Sequence, residues 1–150
     1  MSDYNSPIYD FLRTANQKPK KRIFISFVYD DDKNYFNLLH AWSANEDLDL
    51  EFYSESVREE FDSEDADYIK RQIREKIQRA SITLCLCSEN TRKSRWVNWE
   101  IRESIEHGNN LIAVKTWGDV KYIPGAFKDQ KYIWVNEFKY AKIKDAIDRS

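Results

Sequence analysis

The chain alternates between short apolar runs and longer segments in which apolar residues recur at helical spacing. Five runs have the length and the β-branched, aromatic or aliphatic content of buried strands. These runs are residues 22–28, 48–54, 81–87, 111–117 and 131–135. Near-continuous apolar strands separated by helices predict an α/β fold with a parallel sheet and helices on both faces.

Helical patterns fill the intervals between these strands. The first is residues 32–43, and in the second Ile69, Ile73 and Ile77 repeat every fourth residue. The third runs from about residue 94 to 107 and is predicted to end at Gly108, and the fourth covers 137–148. Five strands in this alternation predict a single flavodoxin-like domain with strand order 2-1-3-4-5. A ligand would then bind beyond the carboxyl ends of strands one and three.

Length and charge restrict the classes of function. The 150 residues suit one domain, assigned here to 21–150, after a polar arm at 1–20. A formal net charge of -2 gives no reason to expect nucleic acid or an anionic membrane as a partner. The sequence shows neither an apolar leader nor a stretch long enough to span a bilayer, so a cytoplasmic location is expected.

Cysteine and histidine usage argues against a metal site or a disulfide. Cys85 and Cys87 lie two apart on a predicted strand and point to the same face, where a mutual disulfide would be severely distorted. We interpret them as buried, reduced thiols. His40 and His107 add no spacing typical of structural zinc, and neither can be placed beside a nucleophilic serine or cysteine.

The predicted site lacks the usual features that bind nucleotides. With 3 glycines in the chain there is neither a G-x-G-x-x-G turn nor a P-loop. The aspartates at 30–32 would repel a flavin phosphate. A phosphoacceptor receiver domain would use Asp30, Asp31 and Lys115, but it also needs an aspartate at the end of strand three, where the chain has Cys87 and Ser88.

One carboxylate in the third helical segment has an unusual position. A helix over 94–107 places Val97, Ile101 and Ile105 on a stripe facing the sheet. Glu100 then falls at the margin of this stripe, neither in the central core nor fully outward, with Trp96 one turn earlier on the same flank. The pattern therefore brings a carboxylate and an indole close to the predicted crevice.

Two interpretations of Glu100 remain open from the pattern alone. In the first, it is a solvated helix residue that pairs with Arg95, Arg102 or Lys93. In the second, it binds ribose hydroxyls and stabilises the positive charge that develops at a sugar carbon when a glycosidic bond breaks.

Several stretches resemble a TIR (Toll/interleukin-1 receptor) domain. They are "RIFISF" followed by "YDDD", the block "SITLCLCSENTRKSRWVNWEI", and "IEHGNNLIAV". The resemblance covers roughly 22–117 and is strongest to bacterial TIR-like proteins that include the signal producers of Thoeris antiphage defence. Its most specific motif is SxWxxxE, which is met by Ser94, Trp96 and Glu100. Val97 stands where many TIR domains have cysteine, and the loop after strand two lacks the proline-containing signature of receptor members.

The resemblance implies an enzyme that cleaves the nicotinamide–ribose bond of NAD. The released ADP-ribose species, hydrolysed or cyclised, would act on a downstream effector protein. NAD is then a substrate, no further cofactor is needed, and assembly into a homo-oligomer is compatible with the family. Glu100 becomes the catalytic residue. Position in the fold adds the candidate substrate-binding residues Phe27, Tyr29, Tyr53, Ser54, Ser88 and Trp96.

The alternative is a non-catalytic interaction module. It would assemble through its helices and acidic loop, with Trp99 as an outward anchor, whereas in an ordinary fold Trp99 is a half-buried aromatic against a neighbouring helix. For the enzyme, the aspartates at 30–32 are poor neighbours for a diphosphate. That group is expected near Arg92, Lys93 and Arg95 instead.

Overall fold

The computed structural model describes residues 21–46, 48–52, 58–116, 118 and 123–150. The polar arm at 1–20 and the candidate residues Tyr53 and Ser54 lie outside this part of the chain. The elements are β1 (Arg22–Ser26), α1 (Tyr29–Glu46), β2 (Asp49–Phe52), α2 (Ala66–Arg79), β3 (Ile82–Cys87), α3 (Arg95–His107), β4 (Asn110–Lys115), β5 (Ile133–Val135) and α4 (Tyr140–Arg149). Short 3-10 turns, Thr91–Lys93 and Gly125–Phe127, precede α3 and β5.

The five strands form one parallel sheet in the order β2-β1-β3-β4-β5. This confirms the predicted flavodoxin-type order. In the register between β1 and β3, Ser26 lies opposite Cys85. The strand order reverses between β1 and β3, and the helices that follow these two strands cover opposite faces of the sheet. This topological switch point leaves a crevice at the carboxyl ends of the two strands.

Helices cover both faces of the sheet, as predicted. On one face, Phe36 and Leu39 of α1 and Ile143 of α4 join the core cluster that contains Ile25 and Leu84. The other face packs against α2 and α3. All three isoleucines of the predicted α2 stripe are buried, which confirms that stripe: Ile69, Ile73 and Ile77.

The two cysteines are buried free thiols whose sulfur atoms lie 3.8 Å apart on the face that packs against α3. Burial, followed by the neighbouring Cys87, raises the pKa of the Cys85 thiol. The thiol is therefore neutral and behaves as a small apolar core group.

The first helix begins earlier than its apolar pattern predicts. The carbonyl of Val28 accepts from the amides of Asp31 and Asp32 at 3.1 and 3.0 Å, so α1 starts at Tyr29 and β1 ends at Ser26. All three aspartates at 30–32 consequently lie inside the first turn, where the helix dipole favours negative charge. The strand is shorter than predicted because the chain turns directly from Ser26 into this helix.

The ends of α3 follow the predicted signals. The Ser94 hydroxyl accepts from the amide of Val97 at 3.1 Å and caps the helix, and Gly108 ends it at φ 86° in the left-handed region. The last helix starts later than predicted, because Lys139 is extended and Phe138 packs beside Trp42 before α4 begins. Among the described residues, no helix is long and apolar enough to cross a bilayer.

Candidate functional site

Glu100 is completely buried, with 0% of its surface exposed. It lies on α3 beneath the crevice at the carboxyl end of β1, and residues 58–61 pack over this flank of α3. An ionised carboxylate is rarely buried in this way unless charged and hydrogen-bonding partners compensate the lost hydration.

Two side chains supply those partners. The Ser26 hydroxyl, at the end of β1, donates to Oε1 of Glu100 at 2.8 Å. The guanidinium of Arg58 donates to Oε2 at 2.8 Å through Nη2 and to Oε1 at 3.5 Å through Nη1. The Arg58 and Glu100 side chains are 1% and 0% exposed, so the ion pair is almost free of solvent screening.

This geometry corrects the expectation that Glu100 lies at a solvated margin and pairs with a cation of its own helix. Its cation is Arg58, 42 residues earlier, and its hydroxyl partner is Ser26, 74 residues earlier. The margin of the helical stripe becomes interior because residues 58–61 pack over it. Helical spacing indicates which side of α3 faces the sheet, but it does not indicate which other parts of the chain pack beside that side.

Trp96 holds that covering segment in place. Its Nε1 donates to the carbonyl oxygen of Glu59 at 3.0 Å, and its ring meets Phe61 edge to face at 5.0 Å. The Arg58 guanidinium lies 5.7 Å from the centre of the indole. Trp96 is therefore both a wall of the site and an anchor for residues 59–61. Its location beside Glu100 agrees with the predicted pairing of indole and carboxylate.

An open cleft of about 480 Å³ lies above Trp96. Its lining includes Val28 after β1, Phe61 and Asp62 before α2, and Lys93 and Arg95 at the start of α3. Arg95 pairs with Asp62 at 2.5 Å across the cleft mouth, and its guanidinium lies 4.5 Å from the Phe61 ring centre. The cleft has the size of a small-molecule site, and it combines aromatic surface with two cations and two carboxylates, the second being Glu60.

Of the remaining candidate residues, Ser88 and Tyr29 lie at the ends of their elements, whereas Phe27 lies in the core. Ser88 lies at the end of β3, where its hydroxyl donates to Asp31 at 3.2 Å. Tyr29 is half-buried at the start of α1. Phe27 has no exposed surface and stacks on Phe36 with ring centres 4.9 Å apart, so the structure places it in the core and does not bring it to the cleft.

Trp99 is half-buried and packs against α2. Its ring meets Trp96 edge to face at 6.1 Å, and the Arg74 guanidinium lies 5.5 Å from its centre. This is the ordinary packing role expected for an aromatic between two helices.

A second carboxylate is buried at the same edge of the sheet. Asp32 is 0% exposed and accepts from the Thr116 hydroxyl, after β4, at 2.7 Å. Its Oδ2 has no hydrogen-bond partner among the described residues. Burial raises the pKa of Asp32 to about 6, with a further rise from Asp31 and an opposing contribution from the Thr116 hydrogen bond.

Asp32→Asn is expected to stabilise the protein above neutral pH. Because the folded-state pKa of about 6 exceeds the ordinary 3.8, Asp32 favours folding below about pH 4, and this contribution is lost as the pH rises through 6. Urea unfolding at pH 8 should show a gain of about 3 kcal/mol, which shrinks toward pH 4.5. Asp30→Asn, at an exposed position of the same turn, should leave the pH profile between 5 and 8 unchanged. An Asp32→Asn profile parallel to that of the wild type would contradict this assignment.

Sequence reasoning missed Ser26 and Arg58, although both carry a signal. Ser26 is the single hydroxyl residue within the apolar run 22–28. Arg58 is the one basic residue between Glu51 and Lys70, within a strongly acidic segment. A lone polar group at a strand end and a lone cation in an acidic loop both need a partner, but sequence alone does not say which.

Comparison with known proteins agrees with this architecture. The TIR domain of the Toll-related receptor TRR-2 from Hydra magnipapillata superposes with a TM-score of 0.55 at 11% identity, over 85% of this chain and 91% of that one. The CMP N-glycosidase BcmB from Clostridium botulinum gives a TM-score of 0.55 at 16% identity, over 87% and 100%. These likenesses show the fold. No curated relative matches the sequence. The family model for the TIR-like domain of the Thoeris protein ThsB matches residues 24–121, and the chain therefore belongs to that family.

Proposed function

We propose that this protein is an enzyme that cleaves the nicotinamide–ribose bond of NAD. The observation that carries the proposal is the buried carboxylate of Glu100, held at the switch point of the sheet beside Trp96 and next to the cleft. A fixed carboxylate in a dry site is suited to stabilising positive charge on a sugar carbon. The membership in the ThsB family and the likeness to a nucleotide N-glycosidase fold are in keeping with this chemistry.

The proposed reaction breaks one bond and forms one. The C1′–N bond of the nicotinamide ribose breaks, and nicotinamide leaves as a neutral molecule with the bonding electron pair. Glu100 faces the developing oxocarbenium ion and binds the ribose hydroxyls. A water molecule, or a nucleophile of the same nucleotide, then bonds to C1′ and releases a proton. NAD is consumed as a substrate, and no other cofactor takes part.

The product is proposed to act as a signal in antiphage defence. An ADP-ribose species, linear or cyclic, would leave the cleft and bind a separate effector protein in the cytoplasm. Assembly into a homo-oligomer is compatible with this role. The Lys93 and Arg95 side chains that line the cleft supply positive charge for the diphosphate of the nucleotide.

The test measures NAD and its products in cells that carry the wild-type protein or Glu100→Gln, with and without phage challenge. Chromatography with mass spectrometry should show loss of NAD and a new ADP-ribose species in the wild type alone. If NAD stays constant in every condition while a partner protein co-purifies with both versions, the enzyme is excluded and the chain is an adaptor.

Ser26→Ala is expected to lower kcat for NAD roughly 10-fold without unfolding the protein. The Ser26 hydroxyl orients Oε1 of Glu100, and a hydrogen bond to a charged group contributes about 1.5–3 kcal/mol. Ser43 offers a matched control, since it is also a buried serine but its hydroxyl donates to the carbonyl of His40 within α1, away from Glu100. Equal rates for Ser26→Ala and Ser43→Ala would show that Ser26 does not position Glu100.

A further inference from the structure

In the structure, a protein cation already neutralises the negative charge of Glu100. The Arg58 guanidinium contacts both carboxylate oxygens, and Ser26 donates to one of them. A carboxylate paired in this way contributes little to stabilising a second positive charge, because its field is largely cancelled. Its oxygens are also engaged where ribose hydroxyls would bind. In the arrangement described here, Glu100 is therefore engaged by protein groups, and it would have to exchange them to act on a sugar.

Arg58 is placed so that it can exchange partners. It lies in residues 58–60, which form neither helix nor strand, so its backbone is not locked in the sheet or a helix. Its guanidinium rests beside the Trp96 indole, and the same indole lines the cleft. Trp96 thus lies next to both Arg58 and the cleft, whose lining includes neither Arg58 nor Glu100.

The charges that line the cleft balance one another. Lys93 and Arg95 face Glu60 and Asp62, and Arg95 is already paired with Asp62, so a polyanion bound there needs a further cation. A guanidinium binds phosphate with the same two-pronged geometry that it uses for carboxylate. If a diphosphate replaced Glu100 as the partner of Arg58, the guanidinium would remain paired with an anion. The charge of Glu100 would then no longer be cancelled by Arg58 and could act on the positive charge of the sugar.

We propose that Arg58 is the residue through which the protein selects a diphosphate-bearing substrate. The diphosphate draws the guanidinium away from Glu100, and only then does the carboxylate engage the ribose. This inference rests on the proposed function, which states that the nicotinamide–ribose bond is cleaved but does not explain why a dinucleotide is preferred to a nucleoside. A nucleoside with the same glycosidic bond carries no anion to release Glu100 and is therefore a poor substrate.

The first experiment compares kcat/KM for NAD and for nicotinamide riboside by the release of nicotinamide. The wild type should prefer NAD by roughly 100-fold or more, the size of a lost charged contact. In Arg58→Gln, the preference for NAD should fall to about 10-fold or less. The kcat/KM for NAD drops because its diphosphate has lost its cation, whereas the kcat/KM for the nucleoside, which has no diphosphate, does not drop. If Arg58 had a purely structural role, its substitution would lower kcat/KM for both substrates by the same factor. Arg74→Gln removes a similar two-pronged pair, with Glu103 at 3.1 Å, and should keep the wild-type ratio.

The second experiment needs only the wild-type protein, so it stands even if Arg58→Gln fails to fold. Inorganic pyrophosphate, added with nicotinamide riboside, should raise nicotinamide release several-fold, because it supplies the missing anion in trans. Sodium chloride at equal ionic strength is the control. Cleavage of NAD with no effect of pyrophosphate, or an unchanged substrate ratio in Arg58→Gln, would overturn this inference alone. A wild type that cleaves neither substrate in any condition would overturn the proposed function with it.

Discussion

Glu100→Gln is expected to lower the rate of NAD cleavage per folded molecule by roughly 100-fold or more, with a loss of stability because buried Arg58 loses its anion. Glutamine has the shape of glutamate, and its carbonyl oxygen can still accept from Ser26 or Arg58. It carries no charge, however, and cannot stabilise the positive sugar. Loss of one preorganised electrostatic group in a dry site costs about 10²–10³ in rate. The measurement is steady-state release of nicotinamide by the purified protein, together with its unfolding midpoint.

The matched control for this experiment is Glu103→Gln. Glu103 lies on the same helix and also pairs with an arginine, Arg74, but its side chain is 22% exposed and lies outside the cleft lining. Its rate should stay within about twofold of the wild type. A folded Glu100→Gln protein that turns over NAD as fast as Glu103→Gln would remove Glu100 from the chemistry.

Arg58→Leu is expected to destabilise the fold by about 3–5 kcal/mol. The substitution leaves the carboxylate of Glu100 buried without its cation, and breaking a buried ion pair from one side carries a cost of this size. Adding Glu100→Leu should recover most of the loss, because an apolar pair needs no compensation for lost hydration. Urea unfolding of both single variants and the double variant gives the coupling free energy directly.

Arg74→Leu provides the comparison for this stability cycle. The Arg74 and Glu103 side chains are 42% and 22% exposed, so water compensates the glutamate when its partner is removed. The expected loss is below about 1 kcal/mol. If Arg58→Leu cost no more than Arg74→Leu, the Arg58–Glu100 pair would not be the buried interaction that the structure describes.

Much of the fold could be predicted from the sequence because the features that define each helix and strand depend on residues close together in the chain. The stripe at Ile69, Ile73 and Ile77, the cap at Gly108 and the short apolar strands each depend on neighbours a few residues away. The parallel order 2-1-3-4-5 followed from the alternation of these elements. Predicted boundaries were wrong where a single backbone contact decides them, as with the early start of α1 at Tyr29.

The candidate site was predictable only in part. Trp96 and Glu100 were placed together correctly, since both lie on one flank of a helix. The surroundings of Glu100 were not, because its partners come from the end of β1 and from the segment after β2. The burial of Asp32 was missed for the same reason, as its partner Thr116 is 84 residues away.

The sequence by itself therefore determined the alternation of strands and helices, the family motif and the residue types available for chemistry. Only the tertiary structure decided that Glu100 is dry and that Arg58 neutralises it. Periodicity encodes which side of an element is apolar, whereas the pairing of two charges depends on where separate elements meet. A buried carboxylate needs a specific partner to offset its lost hydration, and only the folded chain brings that partner within 2.8 Å.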